Sequence, residues 1–170
     1  MPRTLLLLFA LLHWSVGCAM ARPASSLKTN EGAVVQQPIR TVKDQTLSSS
    51  GVPALNIKFD TAFKYLGTQK FVLYDVANVE QHFFVDADAQ GRIKRLYWVQ
   101  FEGCLANNDH TYNYKVNKTA TIGGLDFIAD AFPRNVKANP GRADSDGSRA
   151  RAFLESKGYR MISDDVAFVP

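Results

Sequence analysis

From Leu55 onward, aromatic and β-branched residues recur in short runs, and each run is closed within a few residues by a turn signal. That rhythm leaves little room for long helices and suits strands of ordinary length. Leu55 to Phe59, Phe63 to Leu66, Lys70 to Val76, Val79 to Asp88, Arg92 to Glu102 and Thr111 to Ile122 are the candidate strands. The connections between them are short, whereas a parallel crossover needs roughly a dozen residues or more, so an antiparallel meander is expected.

The best-defined turn is Ala89-Gln90-Gly91. A three-residue loop ending in Gly suits a type I turn followed by a left-handed glycine. With no irregularity further along, that turn sets Asp88 opposite Arg92, Asp86 opposite Lys94, Phe84 opposite Leu96 and His82 opposite Trp98. Gly123-Gly124 breaks the chain again, and Leu125 to Phe132 fits both helical and alternating spacing, with strand favoured by the preceding β-branched run. One helix is expected, over Ser148 to Lys157. Ser145 or Asp146 can cap it, Ala150, Phe153 and Leu154 form its apolar stripe, and Gly158 sits where a helix-ending glycine belongs. Its basic residues Arg149, Arg151 and Lys157 read as a solvated face. A final strand is expected over Val166 to Val169. The fold class that follows is α+β: a curved antiparallel meander of five to seven strands, barrel-like in the limit, with a C-terminal helix packed on it.

The N-terminus has a different grammar. Arg3, the apolar run Leu5 to Leu12 and the small-x-small triplet Ala19-Met20-Ala21 match an export signal spanning residues 1–21. The apolar run is far below the roughly 20 residues a membrane-spanning helix needs, and no longer one follows, so no transmembrane span is expected. Ser15-Val16-Gly17-Cys18 offers a second reading, a lipobox with lipidation at Cys18, although Ser15 stands where Leu is usual. Residues 22–50 are rich in Ser, Thr, Gln and Pro, carry no aromatic residue and read as a disordered linker. Residues 51–170 are then a single domain, exported to a secreted or periplasmic location and free, or tethered to the envelope if Cys18 is lipidated.

The formal charge of +4 suggests a polyanion partner until it is divided by region. Residues 51–170 hold 15 basic and 14 acidic residues, without the clustered positive field that phosphate backbones demand, so nucleic acid is not expected as a partner. Removal of residues 1–21 takes Cys18 and leaves Cys104 alone, without an internal disulfide; a small buried apolar residue is expected there, with a reactive thiol or an intermolecular bridge as the alternative.

In the unbroken hairpin register, one face carries Val79, Gln81, Phe83 and Val85 with Tyr97, Val99 and Phe101, the expected core. The other carries Glu80, His82, Phe84, Trp98, Gln100 and Glu102. His82 beside Trp98 with carboxylates nearby is the group with most chemical capability. Glu80 or Glu102 could orient the imidazole for acid/base work, and Phe84 with Trp98 could floor a small ligand. His82, Phe84, Trp98, Gln100 and Glu102 are therefore the candidate binding residues. The plain alternative is that these side chains stabilise neighbouring strands as cross-strand pairs.

His110 is the other histidine after residue 21, and two histidines without short-range spacing make no metal site. Asp86 to Gly91 and Asp144 to Glu155 brush against calcium-loop spacing, but Tyr97 replaces the bidentate Glu in the first and Arg149 the turn glycine in the second. Asn117-Lys118-Thr119 is a glycosylation acceptor in a eukaryotic secretory route. No motif calls for a cofactor or a metal. The leading expectation is a non-enzymatic exported module that binds a small amphipathic ligand or a protein partner on one sheet face. The alternatives are an exported hydrolase-like enzyme with His82 as general base, and a structural envelope or extracellular protein with no site.

Overall fold

The computed structural model describes residues 5–11, 39–106, 119–128, 132–135, 137–161 and 165–169. These form β1 (Leu5–Leu11), β2 (Arg40–Lys43), β3 (Thr46–Ser49), β4 (Leu55–Lys58), β5 (Lys64–Leu73), β6 (Ala77–Ala87), β7 (Arg92–Cys104), β8 (Thr119–Ile122), β9 (Leu125–Ile128), β10 (Phe132–Asn135), α1 (Asp146–Ser156), β11 (Arg160–Met161) and β12 (Asp165–Val169). Strand dominates, with one helix among the described residues, as the short apolar runs require. Cys18, His110, Asn117 and residues 22–38 lie outside the described residues.

β5, β6 and β7 form the expected antiparallel meander. The sheet they belong to is mixed, however. It runs β10-β12-β1-β7-β6-β5, with β11 also on β7, and it is open rather than closed into a barrel. β1 lies parallel to both β7 and β12, and β11 is parallel to β7. Two small antiparallel sheets, β2-β3-β4 and β8-β9, complete the described strands.

Residues 40–49, read in the sequence as the end of a linker, are strands β2 and β3. Their turn places Asp44 (φ 47°) and Gln45 (φ 62°) in the left-handed region, between the paired Lys43 and Thr46. Two positive φ values give the twist of a two-residue hairpin, even without glycine. Gln45 is held there by its Nε2, which donates to the Phe63 carbonyl at 2.8 Å. The segment is ordered because it borrows a core. Leu47 is fully buried, in one cluster with Phe59, Phe63, Phe84, Val99 and Phe101. Residues 40–49 therefore belong to the folded part rather than to a linker that ends at Gly51.

The opposite face of β6 and β7 packs on α1. Phe83, Val85, Ile93, Leu96 and Trp98 meet Ala150 and Leu154 there. The helix is capped at its start by Ser145, whose Oγ accepts from the Ser148 amide, and closes at Gly158 (φ 82°), which donates to the Glu155 carbonyl. Thus β5-β6-β7 is the middle layer of three, with apolar packing on both sides.

Candidate functional site

The turn at Ala89-Gln90-Gly91 forms as its sequence dictates. Gly91 has φ 72°, its amide donates to the Asp88 carbonyl, and the Asp88 carboxylate binds the Arg92 guanidinium at 2.6 Å. One step further the expected register fails. Ala87 pairs with Ile93 but Asp86 pairs with Arg95, so Lys94 is the extra residue of a bulge. From there His82 faces Val99, Phe83 faces Trp98 and Phe84 faces Tyr97. A single extra residue exchanges the two faces of one strand against the other.

The bulge divides the candidate binding residues. His82 and Phe84 point toward β2-β3-β4, while Trp98, Gln100 and Glu102 lie on the α1 side. Neither side is the solvent face of a sheet, and Tyr97, Val99 and Phe101 do not share a face with Phe83 and Val85.

The His82 group is a sealed polar knot. His82 is 2% exposed; its Nε2 lies 2.9 Å from Glu80 Oε1 and its Nδ1 lies 3.1 Å from the Tyr65 hydroxyl. An ionised Glu80 can only accept, so Nε2 carries the proton and Nδ1 accepts from Tyr65. Glu80 Oε2 also takes Arg40 Nη1 and Lys70 Nζ, each at 3.2 Å. The Arg40 guanidinium lies over the Phe101 ring at 3.9 Å, which fixes β2 against β7. Burial pushes the His82 imidazole below its ordinary range and outweighs the opposing pull of Glu80. Burial alone would raise the Glu80 carboxyl, but the Lys70 hydrogen bond and the contacts with His82 bring it below the usual range. Tyr65 is raised, first by burial and then by the Glu80 charge. With both ring nitrogens occupied and the ring covered by Phe101 and Tyr65, His82 clamps two layers together.

On the α1 side, a row of amides crosses the sheet. Gln69 Nε2 donates to Gln81 Oε1 at 2.7 Å, and Gln81 Nε2 donates to Gln100 Oε1 at 2.6 Å. Gln100 Nε2 in turn donates to Glu102 and, at 3.4 Å, to Asp146 Oδ2 at the first turn of α1. Gln81 Nε2 also reaches the Asp146 carbonyl at 3.3 Å.

Beyond this row a cleft of about 280 Å³ opens between β7, the start of α1 and the segment before it. Trp98, 4% exposed, forms part of its lining with Leu96, Leu154 and Met161. Tyr74, Arg134, Arg142, Asp146 and Arg151 supply its polar and aromatic boundary. Tyr74 is held at φ 53° with Asp75 at φ 57°, in the turn between β5 and β6, and the Arg142 guanidinium stacks on its ring at 4.4 Å. A bulky residue in the left-handed region is a costly placement, of the kind found where a side chain must be aimed.

Of the five candidate residues, then, only Trp98 lines the cleft. Gln100 and Glu102 support it from behind through Asp146, and His82 and Phe84 belong to the opposite face. Sequence reasoning missed Tyr74, Arg134, Arg142 and Asp146 as cleft residues and set Arg151 on a solvated face. It also missed Arg40 and Tyr65 as partners of the His82 knot. Three of the calcium-like acids are committed to arginines, Asp86 to Arg95, Asp88 to Arg92 and Asp144 to Arg142, and Asp146 is taken by Gln100 and the Gly147 amide. Among the described residues, no group of three or more His, Cys, Asp or Glu side chains could hold a metal ion. No described helix is long and apolar enough to cross a membrane. No protein-family model, curated protein or solved structure matches this chain.

Proposed function

We propose that this chain is an exported, non-enzymatic binding module whose small amphipathic ligand sits in the cleft beside Trp98. The observation that carries this reading is the cleft itself: an indole and aliphatic side chains on one side, cationic groups and an aimed tyrosine on the other. Small-ligand sites have that composition, an apolar lining with a few placed polar groups. The export half of the reading rests on Arg3, the Leu5 to Leu12 run and Ala19-Met20-Ala21. Cleavage after Ala21 would remove β1. The two apolar clusters described above draw on residues 42–161 and would stay, whereas β12, and through it β10 with Arg134, would lose the strand that joins it to β7.

Intact and native mass spectrometry of the exported protein tests both halves. The expected mature mass begins at Arg22, and a small-molecule adduct is expected that Tyr74→Ala weakens. A protein starting at a lipidated Cys18 would replace free export by tethering. Absence of any adduct, together with a Trp98 fluorescence that no small amphiphile shifts, would remove the binding reading. A hydrolytic role for His82 draws no support from its geometry, because both ring nitrogens are engaged and the ring is covered.

A further inference from the structure

Building on that binding reading, we infer that the cleft selects a small organic monoanion, a carboxylate carried on a flat apolar body. The charge around it is unevenly committed. Arg142 is neutralised by Asp144 at 2.7 Å. Among the described ion pairs Arg134 and Arg151 have no carboxylate partner; Arg134 Nη2 donates only to the Asn139 carbonyl, at 3.1 Å. Asp146 is the one acid in the lining, and its oxygens are already taken, Oδ1 by the Gly147 amide at 2.7 Å and Oδ2 by Gln100. Two uncommitted guanidiniums against one engaged carboxylate leave an excess of one positive charge, which matches a monoanion better than a phosphate dianion or a cation.

Geometry supports the same assignment. Guanidinium is the group that grips a planar carboxylate with two parallel hydrogen bonds. Gly141, at φ 75°, sits where an added Cβ would stand 3.4 Å from both Arg134 Nη2 and Ser145 Oγ, so the backbone there closes tightly on the Arg134 head. The indole of Trp98 offers a flat wall. At about 280 Å³ the space lies at the small end of ligand sites, which run from about 300 Å³ upward, so a single ring with a short acidic arm is the right scale.

The test uses the full-length chain carrying Trp14→Phe, which keeps β1 between β7 and the β12-β10 pair that holds Arg134, and three probes of nearly one shape: phenylacetate, its neutral isostere phenylacetamide, and the cation phenethylamine. With Trp14 replaced, Trp98 is the only tryptophan and reports directly. Phenylacetate is expected to bind at least tenfold tighter than phenylacetamide, with affinity falling as salt rises. Arg151→Gln should weaken phenylacetate five- to tenfold and leave phenylacetamide unchanged, while Arg151→Lys, which keeps the charge and loses the two-pronged grip, should fall between Arg and Gln. Equal affinity for acid and amide, or tightest binding of phenethylamine, would overturn the anion assignment and leave the binding module standing. Silence from all three probes, with native mass spectra free of adducts, would overturn both.

Discussion

Leu47→Ala asks whether residues 40–49 belong to the folded domain. The side chain is fully buried against Phe59, Phe63, Phe84, Val99 and Phe101, and it comes from a strand the composition disguises as linker. Truncation removes three carbons, worth roughly 0.8 kcal/mol each in transfer free energy, or about 2.4 kcal/mol. A residual cavity adds to this, and Leu→Ala losses in cores run from about 2.7 to 5 kcal/mol. Val42, Leu55 and Ile57 around the site are only partly buried and can slump inward, which favours the low end. We expect a loss of about 3 kcal/mol. With a urea slope of about 2 kcal/mol per molar, the midpoint should fall by about 1.5 M with the slope unchanged. Circular dichroism and Trp98 fluorescence should report the same transition, since the middle layer joins both cores. A loss below about 0.5 kcal/mol, the usual size of a surface substitution, would refute the packing of β3 on the sheet.

Three further expectations concern the polar interior and the turns. Burial depresses the His82 imidazole, so the folded state favours its neutral form; that contribution is complete above the unfolded value near about 6.5 and drains as pH falls through the folded one. The stability of the wild type minus that of His82→Gln should thus be flat above pH 7 and shrink between pH 6.5 and 5; a difference that grows on acidification contradicts the neutral assignment. Gln100→Leu leaves Gln81 Nε2 without its side-chain acceptor and two carboxylates short of a donor, and should cost about 2–3 kcal/mol in urea unfolding; a neutral outcome would mean the amide row is not formed. Asp75→Gly relieves a left-handed residue at φ 57° and should stabilise by about 0.5 kcal/mol, whereas a comparable loss of thermal stability would argue against the turn conformation.

What the sequence disclosed and what it hid divide along physical lines. Ala89-Gln90-Gly91 and Ser145 to Gly158 were legible because turns and helix ends are written in adjacent residues. The bulge at Lys94 is written only as a missed beat: Ile93 and Leu96 are three apart where alternation asks for two. That one beat moved His82 away from Trp98. β2 and β3 were hidden because each contributes a single inward apolar residue, Val42 and Leu47, and takes the rest of its core from β6 and β7. The cleft was illegible for another reason. Tyr74, Trp98, Arg134 and the α1 residues Asp146 and Arg151 come from four separate segments, and only tertiary contact joins them. The parallel neighbours of β7 were hidden likewise, since the short connections spoke only for the antiparallel meander.

The row of glutamines carries a directional consequence. Carboxylates only accept, so Glu102 and Asp146 oblige Gln100 to turn its amino group toward them and its oxygen toward Gln81. Gln81 must then offer its own amino group to Gln100 and its oxygen to Gln69. The dipoles align from β5 to β7, and no one of them can flip alone without setting two donors or two acceptors against each other. The way Gln69 points on β5 is therefore decided two strands away, by charges on β7 and at the start of α1.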